Sequence, residues 1–287
     1  MNDAFTMSTV AIVGAGHVAG ATAHALAISD RVGRLLLVDD AASAARGKAL
    51  DIRQSGAISQ FHTRLEGTDD LSRVTGCDVC VIADGFGAGG EWSGDEGLAM
   101  IKRLLPYVGK TPLVFAGASQ GGLIALAATE CGIDRRRLIG SAPEALVSSV
   151  VAITALEAGC SPREVMLTVL GAPSSSFVVP WSEASIGGYP LHAMLSQVAL
   201  ARVEARLRHL WPPGPYVLGA AAARITSAMV ASSRRSFAVL TQLRGEFAVR
   251  DRPGILPARL AAGGIVQTRV PELTTRERVQ LQAALGG

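Results

Sequence analysis

The stretch Val10-Ala11-Ile12-Val13-Gly14-Ala15-Gly16-His17-Val18-Ala19-Gly20 constrains the fold more than any other part of this chain. It opens as a short apolar run of strand type, and Ala21 to Ile28 continues as an Ala-rich helix. The glycines fall at the turn between them in the order G-x-G-x-x-A. In that order Gly14 permits a tight turn and Gly16 lets the backbone approach a pyrophosphate. Ala19 is small enough for the helix to pack on the strand. A helix opening at His17 and Val18 offers free N–H groups and the positive end of its dipole to an anion. A second apolar run, Leu35-Leu36-Leu37-Val38, delivers Asp39 about twenty residues further on, where a carboxylate accepts from a ribose 2′-hydroxyl. Strand, turn, helix, strand and Asp in sequence predict a dinucleotide-binding unit. Asp39 would repel a 2′-phosphate, so the expected cofactor is NAD.

Composition narrows the field. The chain has 287 residues, 49% of them hydrophobic and 18% charged, with a net charge of +3. That length gives room for two cores. The basic clusters Arg135-Arg136-Arg137 and Arg234-Arg235 are short and suit a solvated surface, so no nucleic-acid partner is expected. No apolar run reaches membrane-spanning length, and Met1 to Ser8 lacks the pattern of a secretory signal. A cytoplasmic protein is expected. Cys77 and Cys80 fall in an apolar run of strand type, where residues three apart point to opposite faces, so they are expected to be separate buried thiols. The histidines His62, His192 and His209 lack partners at metal-ligand spacing, and no metal site is expected.

Strand and helix patterns alternate from the N-terminus to Gly140, which predicts a Rossmann-type, doubly wound parallel sheet over residues 1–142. Between the strand 78–83 and the next helix lies a glycine-dense loop, which begins at Gly85 beside the expected cofactor and runs to Gly97. The pattern changes after Pro143. A long apolar helix covers Ala145 to Ala158, and Pro-containing extended segments follow. Ser236–Leu243 and Phe247–Val249 suggest an antiparallel pair, and a charged helix ends the chain. Residues 143–287 are thus expected to form a mixed α+β second domain.

Several segments together resemble the lactate/malate dehydrogenase family over nearly the whole chain. They are Val13-Gly14-Ala15-Gly16-His17-Val18, Leu37-Val38-Asp39 and the specific run Gly47-Lys48-Ala49-Leu50-Asp51-Ile52. Arg137-Leu138-Ile139-Gly140, Val169-Leu170-Gly171, Pro190-Leu191 and Gly245-Glu246-Phe247 extend the match. The resemblance implies an NAD domain followed by a substrate domain, assembled as a homodimer or homotetramer. It also implies a His general acid/base oriented by an Asp, with Arg residues holding the substrate carboxylate. Imidazole titrates near neutrality, and a guanidinium grips a carboxylate in bidentate fashion.

This chain departs from that pattern where the chemistry is done. The family's His position falls at Pro173, its Asp at Leu146, and the Arg three residues on at Ser149. The two mobile-loop Arg positions fall at Ala88 and Gly94, and the Ser-Asn-Pro turn that contacts the nicotinamide end reads Gly117-Ala118-Ser119. No Arg lies between Asp84 and Gly97 and no His between Val169 and Pro180. The loop carries Asp84, Glu91, Asp95 and Glu96 instead, a charge that repels a substrate carboxylate; Asp84 stands where the family has a small neutral residue. No catalytic residue is therefore expected, with Glu144 the one weak candidate acid/base. Trp92 suits either a residue closing on a ligand or an anchor for the loop. The leading expectation is a nucleotide-binding protein without 2-hydroxy-acid chemistry, with binding, regulatory or structural roles. The alternative is a repurposed NAD-dependent oxidoreductase acting on a non-carboxylate substrate.

Overall fold

The structure is a computed structural model that describes residues 8–87, 90–172 and 176–286. In the first half the chain runs β1 (Thr9–Val13), α1 (His17–Ser29), β2 (Arg34–Val38), α2 (Ala42–Ser59), β3 (Arg64–Thr68) and β4 (Val79–Ile82). It continues through α3 (Gly94–Val108), β5 (Leu113–Phe115), α4 (Gly121–Thr129), β6 (Leu138–Gly140) and α5 (Ala142–Ala158). Next come β7 (Val165–Met166), β8 (Leu170–Ala172), β9 (Ser176–Val178), β10 (Ser185–Ile186), β11 (Tyr189–Pro190) and α6 (Leu191–Met194). The last elements are α7 (Gln197–Leu207), α8 (Pro215–Val230), β12 (Ser236–Arg244), β13 (Arg250–Ala261), β14 (Gly264–Thr268) and α9 (Thr275–Ala284).

The first six strands are parallel in the order β3-β2-β1-β4-β5-β6, so the strand order reverses between β1 and β4. That reversal opens a crevice at the carboxyl ends of β1 and β4, the usual ligand position in such sheets. The strands are apolar throughout because helices cover both faces. Val10 and Ile12 enter one core cluster with α1, α2 and α8, while Ala11 and Val13 enter another with α3 and α4. The α/β expectation holds.

The parallel sheet does not end at β6. Gly140 pairs antiparallel with Leu240 of β12, and β12, β13, β8 and β9 extend the sheet. The change from parallel to antiparallel follows the junction near Pro143 where the sequence pattern changes. The hairpin partner of β12 differs from expectation. Glu246–Ala248 forms a short 3-10 turn, and the paired strand is β13 (Arg250–Ala261). Pro253, Gly254 and Pro257 interrupt its apolar pattern, so pairing with β12 rather than its own composition makes it a strand. Cys77 and Cys80 are buried free thiols as expected, but strand alternation is not the reason. Cys77 precedes β4, in the turn after Gly76, so strand alternation does not apply to it. The Cys77 and Cys80 thiols are hydrogen-bonded to each other, which lowers the first and, with burial, raises the second. Among the described residues no helix is long and apolar enough to cross a membrane, and no group of three or more His, Cys, Asp or Glu is placed to hold a metal.

Candidate functional site

The glycine turn lies where β1 ends in the crevice. Gly14 has φ +120°, and its N–H donates to Val38 O at 2.7 Å. Asp39, at the end of β2 and nearly buried, accepts from Ala15 N at 2.8 Å and from Ala41 N at 2.8 Å. Its Oδ2 also accepts from Phe86 N at 3.0 Å, which brings the glycine-rich loop over the turn. Gly14, Gly16, Val18, Asp39 and Gly85 therefore converge. His17 lies at the start of α1, but it is exposed and lines a groove with His24, Lys48 and Tyr216 on the outer side of α1 and α2.

The α1 N-terminus is where a pyrophosphate would sit, and α1 has neither a capping side chain nor an acidic residue in its first turn. The anion comes from another element. Asp84, just past β4 and 6% exposed, turns its carboxylate onto Val18 N at 3.0 Å and Ala19 N at 2.8 Å. Its own carbonyl accepts from Gly16 N at 2.9 Å. A Cβ on Gly16 would lie 2.3 Å from Asp84 Oδ2, so the glycine leaves the space that this carboxylate fills.

The arrangement repeats at the next strand. Glu91 forms an antiparallel bridge with Asp84 across the loop, and Gly85 N donates to Gly90 O at 3.1 Å. The Glu91 carboxylate accepts from Ala118 N and Ser119 N, both at 2.7 Å, and from the Ser119 hydroxyl at 2.5 Å. These groups lie at the entrance to α4, which likewise has no acidic residue in its first turn. A Cβ on Gly117 would lie 2.4 Å from the Glu91 carboxyl carbon. Gln120 locks the corner: its Oε1 accepts from Gly117 N at 2.8 Å, and its Nε2 donates to Ala83 O and Trp92 O. Trp92 is half-buried against the α3–α4 core and packs beside Gly85. It anchors the loop.

The residues expected from sequence to stand at the family's substrate positions are placed as follows. Leu146 is fully buried in the apolar cluster that holds Phe115 and Ile82. The Ser149 hydroxyl donates to Ala145 O of its own helix at 3.1 Å. Gly94, with φ +54°, begins α3. Pro173 and Ala88 lie outside the described residues. Glu144 faces the other way round α5. Its Oε1 is 3.2 Å from Arg224 Nε, and its Oε2 accepts from Ala238 N at 3.1 Å. Burial pushes the Glu144 carboxyl above the usual range, opposed by Arg224, Ala238 N–H and Arg235. It borders a cavity of about 780 Å³ that Arg163, Arg235 and Arg269 also line, away from the glycine turn.

Sequence reading found the cradle and named Asp84 and Glu91 as charges. It missed that both carboxylates are spent on backbone N–H groups. The available signal was their placement: one acid directly after β4, the other just before Trp92, with a run of glycines able to fold back between them.

The parallel order and the glycine turn are those of a dinucleotide-binding fold. Residues 8–90 match the family model described as lactate/malate dehydrogenase, NAD binding domain. The malate dehydrogenase of Thioalkalivibrio sulfidiphilus is 29% identical, the match covering 98% of this chain and 97% of that protein. The solved malate dehydrogenase of Salinibacter ruber superposes with a TM-score of 0.86 at 24% identity, covering 97% of this chain and 94% of that one. A lactate dehydrogenase of Cryptosporidium parvum, solved with lactic acid and nicotinamide adenine dinucleotide, gives 0.85 at 17% identity, covering 98% and 95%. Over nearly its whole length the chain is similar to malate and lactate dehydrogenases, and its first part matches an NAD-binding domain of that kind. The donors and the Cβ-free cradle at Gly16 fit the pyrophosphate of that cofactor. The carboxylate of Asp84, set on the same donors, does not.

Proposed function

We propose that this protein is an NAD-type nucleotide-binding member of its family that has lost 2-hydroxy-acid dehydrogenase chemistry. It would act in the cytosol as a binding, regulatory or structural protein, with residues 1–142 as nucleotide domain and 143–287 as the second domain. One observation carries this reading: the loop that supplies cations in the family supplies Asp84 and Glu91 here, both engaged with backbone N–H groups. A substrate carboxylate entering without its guanidinium partner forgoes about 3–5 kcal/mol, the scale of breaking a buried ion pair. Leu146 offers no carboxylate to orient an imidazole, and no His lies between Val169 and Pro180. The name of the relatives, malate dehydrogenase, points to the opposite outcome, so the deciding assay is direct. NADH oxidation with oxaloacetate, pyruvate and longer 2-oxo acids is expected to stay at background. Turnover in the usual enzyme range of about 1–1000 per second would end this reading.

The alternative, an oxidoreductase using Glu144 on a non-carboxylate substrate, finds less support. That carboxylate is bonded to Arg224 and Ala238 N–H, which suits a strut joining α5, α8 and β12. A homodimer or homotetramer is also proposed. Tyr216, 85% exposed, and Ile28, 49% exposed, are large side chains on the groove between α1, α2 and the start of α8, which also carries His24 and Lys48, and burial against a second copy would cover them. Light scattering at micromolar concentration is expected to give at least twice the chain mass, and a monomer mass would count against the assembly.

A further inference from the structure

Building on the NAD-type reading, we infer that Asp84 and Glu91 are intramolecular competitors of the dinucleotide and set how tightly this chain holds it. Asp84 occupies the anion position of α1 with two hydrogen bonds, at 2.8 and 3.0 Å, from the N–H groups a pyrophosphate would take. Glu91 lies two strands along the same crevice, on the turn that leads from β5 into α4, where it accepts two backbone bonds at 2.7 Å from Ala118 N and Ser119 N. In both places a glycine leaves the volume: Gly16 beside the first carboxylate, Gly117 beside the second. Helix α1 brings no acid of its own in its first turn, and the carboxylate on its first-turn N–H groups is that of Asp84. Asp39 reinforces the arrangement by accepting from Phe86 N within that loop.

A carboxylate tethered to its acceptor site is always present, whereas a free nucleotide must displace it. The apparent dissociation constant then equals the intrinsic one divided by the fraction of molecules whose donors are free. The two carboxylates also divide the ligand between them. Asp39 and the Gly14–Val18 turn take the adenosine ribose and pyrophosphate, and the α4 entrance takes the far half of a dinucleotide crossing the strand ends. Asp84 therefore opposes ADP and NADH alike, while Glu91 opposes NADH alone.

Isothermal titration of the full chain with ADP and with NADH tests this, using wild type, Asp84→Ala and Glu91→Ala, each checked for folding by circular dichroism. Asp84→Asn, which keeps the side-chain shape and removes the charge, serves if the alanine variant does not fold. Removing Asp84 is expected to tighten both ligands by about tenfold or more, the gain for a site free in a tenth of molecules or fewer. Removing Glu91 is expected to tighten NADH and leave ADP unchanged. Wild type binding both nucleotides with the same constants as the variants would overturn this inference and leave the nucleotide-binding reading standing. No binding by wild type or any variant at millimolar nucleotide would overturn both.

Discussion

The nucleotide end and the expected substrate end of this crevice differ in what would build them. At the nucleotide end the binding elements are backbone: N–H groups at two helix entrances, held in place by β1, β4 and β5 and exposed by glycines. At the substrate end the family's elements are side chains, and here those positions read Leu146, Ser149, Gly94, Ala88 and Pro173. A backbone site survives as long as the fold does, because it is made by the same strand ends and helix starts that make the core. A side-chain site vanishes with a handful of substitutions that the fold tolerates. The helix start at the nucleotide end attracts an anion, and here the chain supplies its own in the Asp84 carboxylate.

The contrast is broken most decisively by recovering catalysis with one residue. Pro173→His would return an imidazole to the family's position without a carboxylate to orient it or an Arg to hold substrate. Groups that act as a unit are not additive, so NADH oxidation with 2-oxo acids is expected to stay at background in this variant. Turnover rising by even two orders of magnitude above background, the lower range for a positioned acid/base, would show that the substrate end is nearly intact.

A smaller effect sharpens the account of the nucleotide end. A methyl at position 16 would meet the Asp84 carboxylate at 2.3 Å and force it off Val18 N and Ala19 N. Hydrogen bonds to a charged group contribute about 1.5–3 kcal/mol each, so Gly16→Ala is expected to destabilise the chain by roughly 2–5 kcal/mol. Asp84→Ala loses the same bonds and is expected to cost a similar amount. The double variant should cost little more than either alone, a coupling between neighbours in one network nearly as large as a single cost, at least about 2 kcal/mol. Urea melts that gave additive costs would show that the two groups do not share the space.

Much of this was legible beforehand, and the reasons are local. The glycine turn, the strand that delivers Asp39 and the run from Gly47 to Ile52 each carry their own pattern, so the parallel half could be laid out from sequence. The strand β13 could not, since Pro253 and Pro257 hide it and β12 imposes it. His17 stood in the motif, yet side-chain direction on the first turn of α1 is set by the helix, which turns it outward. The contacts of Asp84 and Glu91 depend on residues 66 and 27 positions away in the chain, and no local pattern reports a pairing at such distance.

The smallest of these effects concerns which nucleotide the surviving end prefers. Asp39 already accepts from Ala15 N and Ala41 N, so its carboxylate is held in place rather than free to swing away. A ribose 2′-hydroxyl can replace Phe86 N as a further donor to that carboxylate. A 2′-phosphate brings a second anion to the same point. Two unit charges about 4 Å apart repel by roughly 1 kcal/mol in water and by about 4 kcal/mol at the effective dielectric of a protein surface. NADH is therefore expected to bind at least about tenfold more tightly than NADPH, since tenfold corresponds to about 1.4 kcal/mol. The measurement belongs in the Asp84→Ala background, where the competing carboxylate is gone and the comparison isolates Asp39. Repeating it with Asp39→Ser should raise NADPH affinity relative to NADH. Equal affinities in the Asp84→Ala chain would mean that Asp39 serves only to hold the loop, and that the nucleotide end has kept its shape without its selectivity.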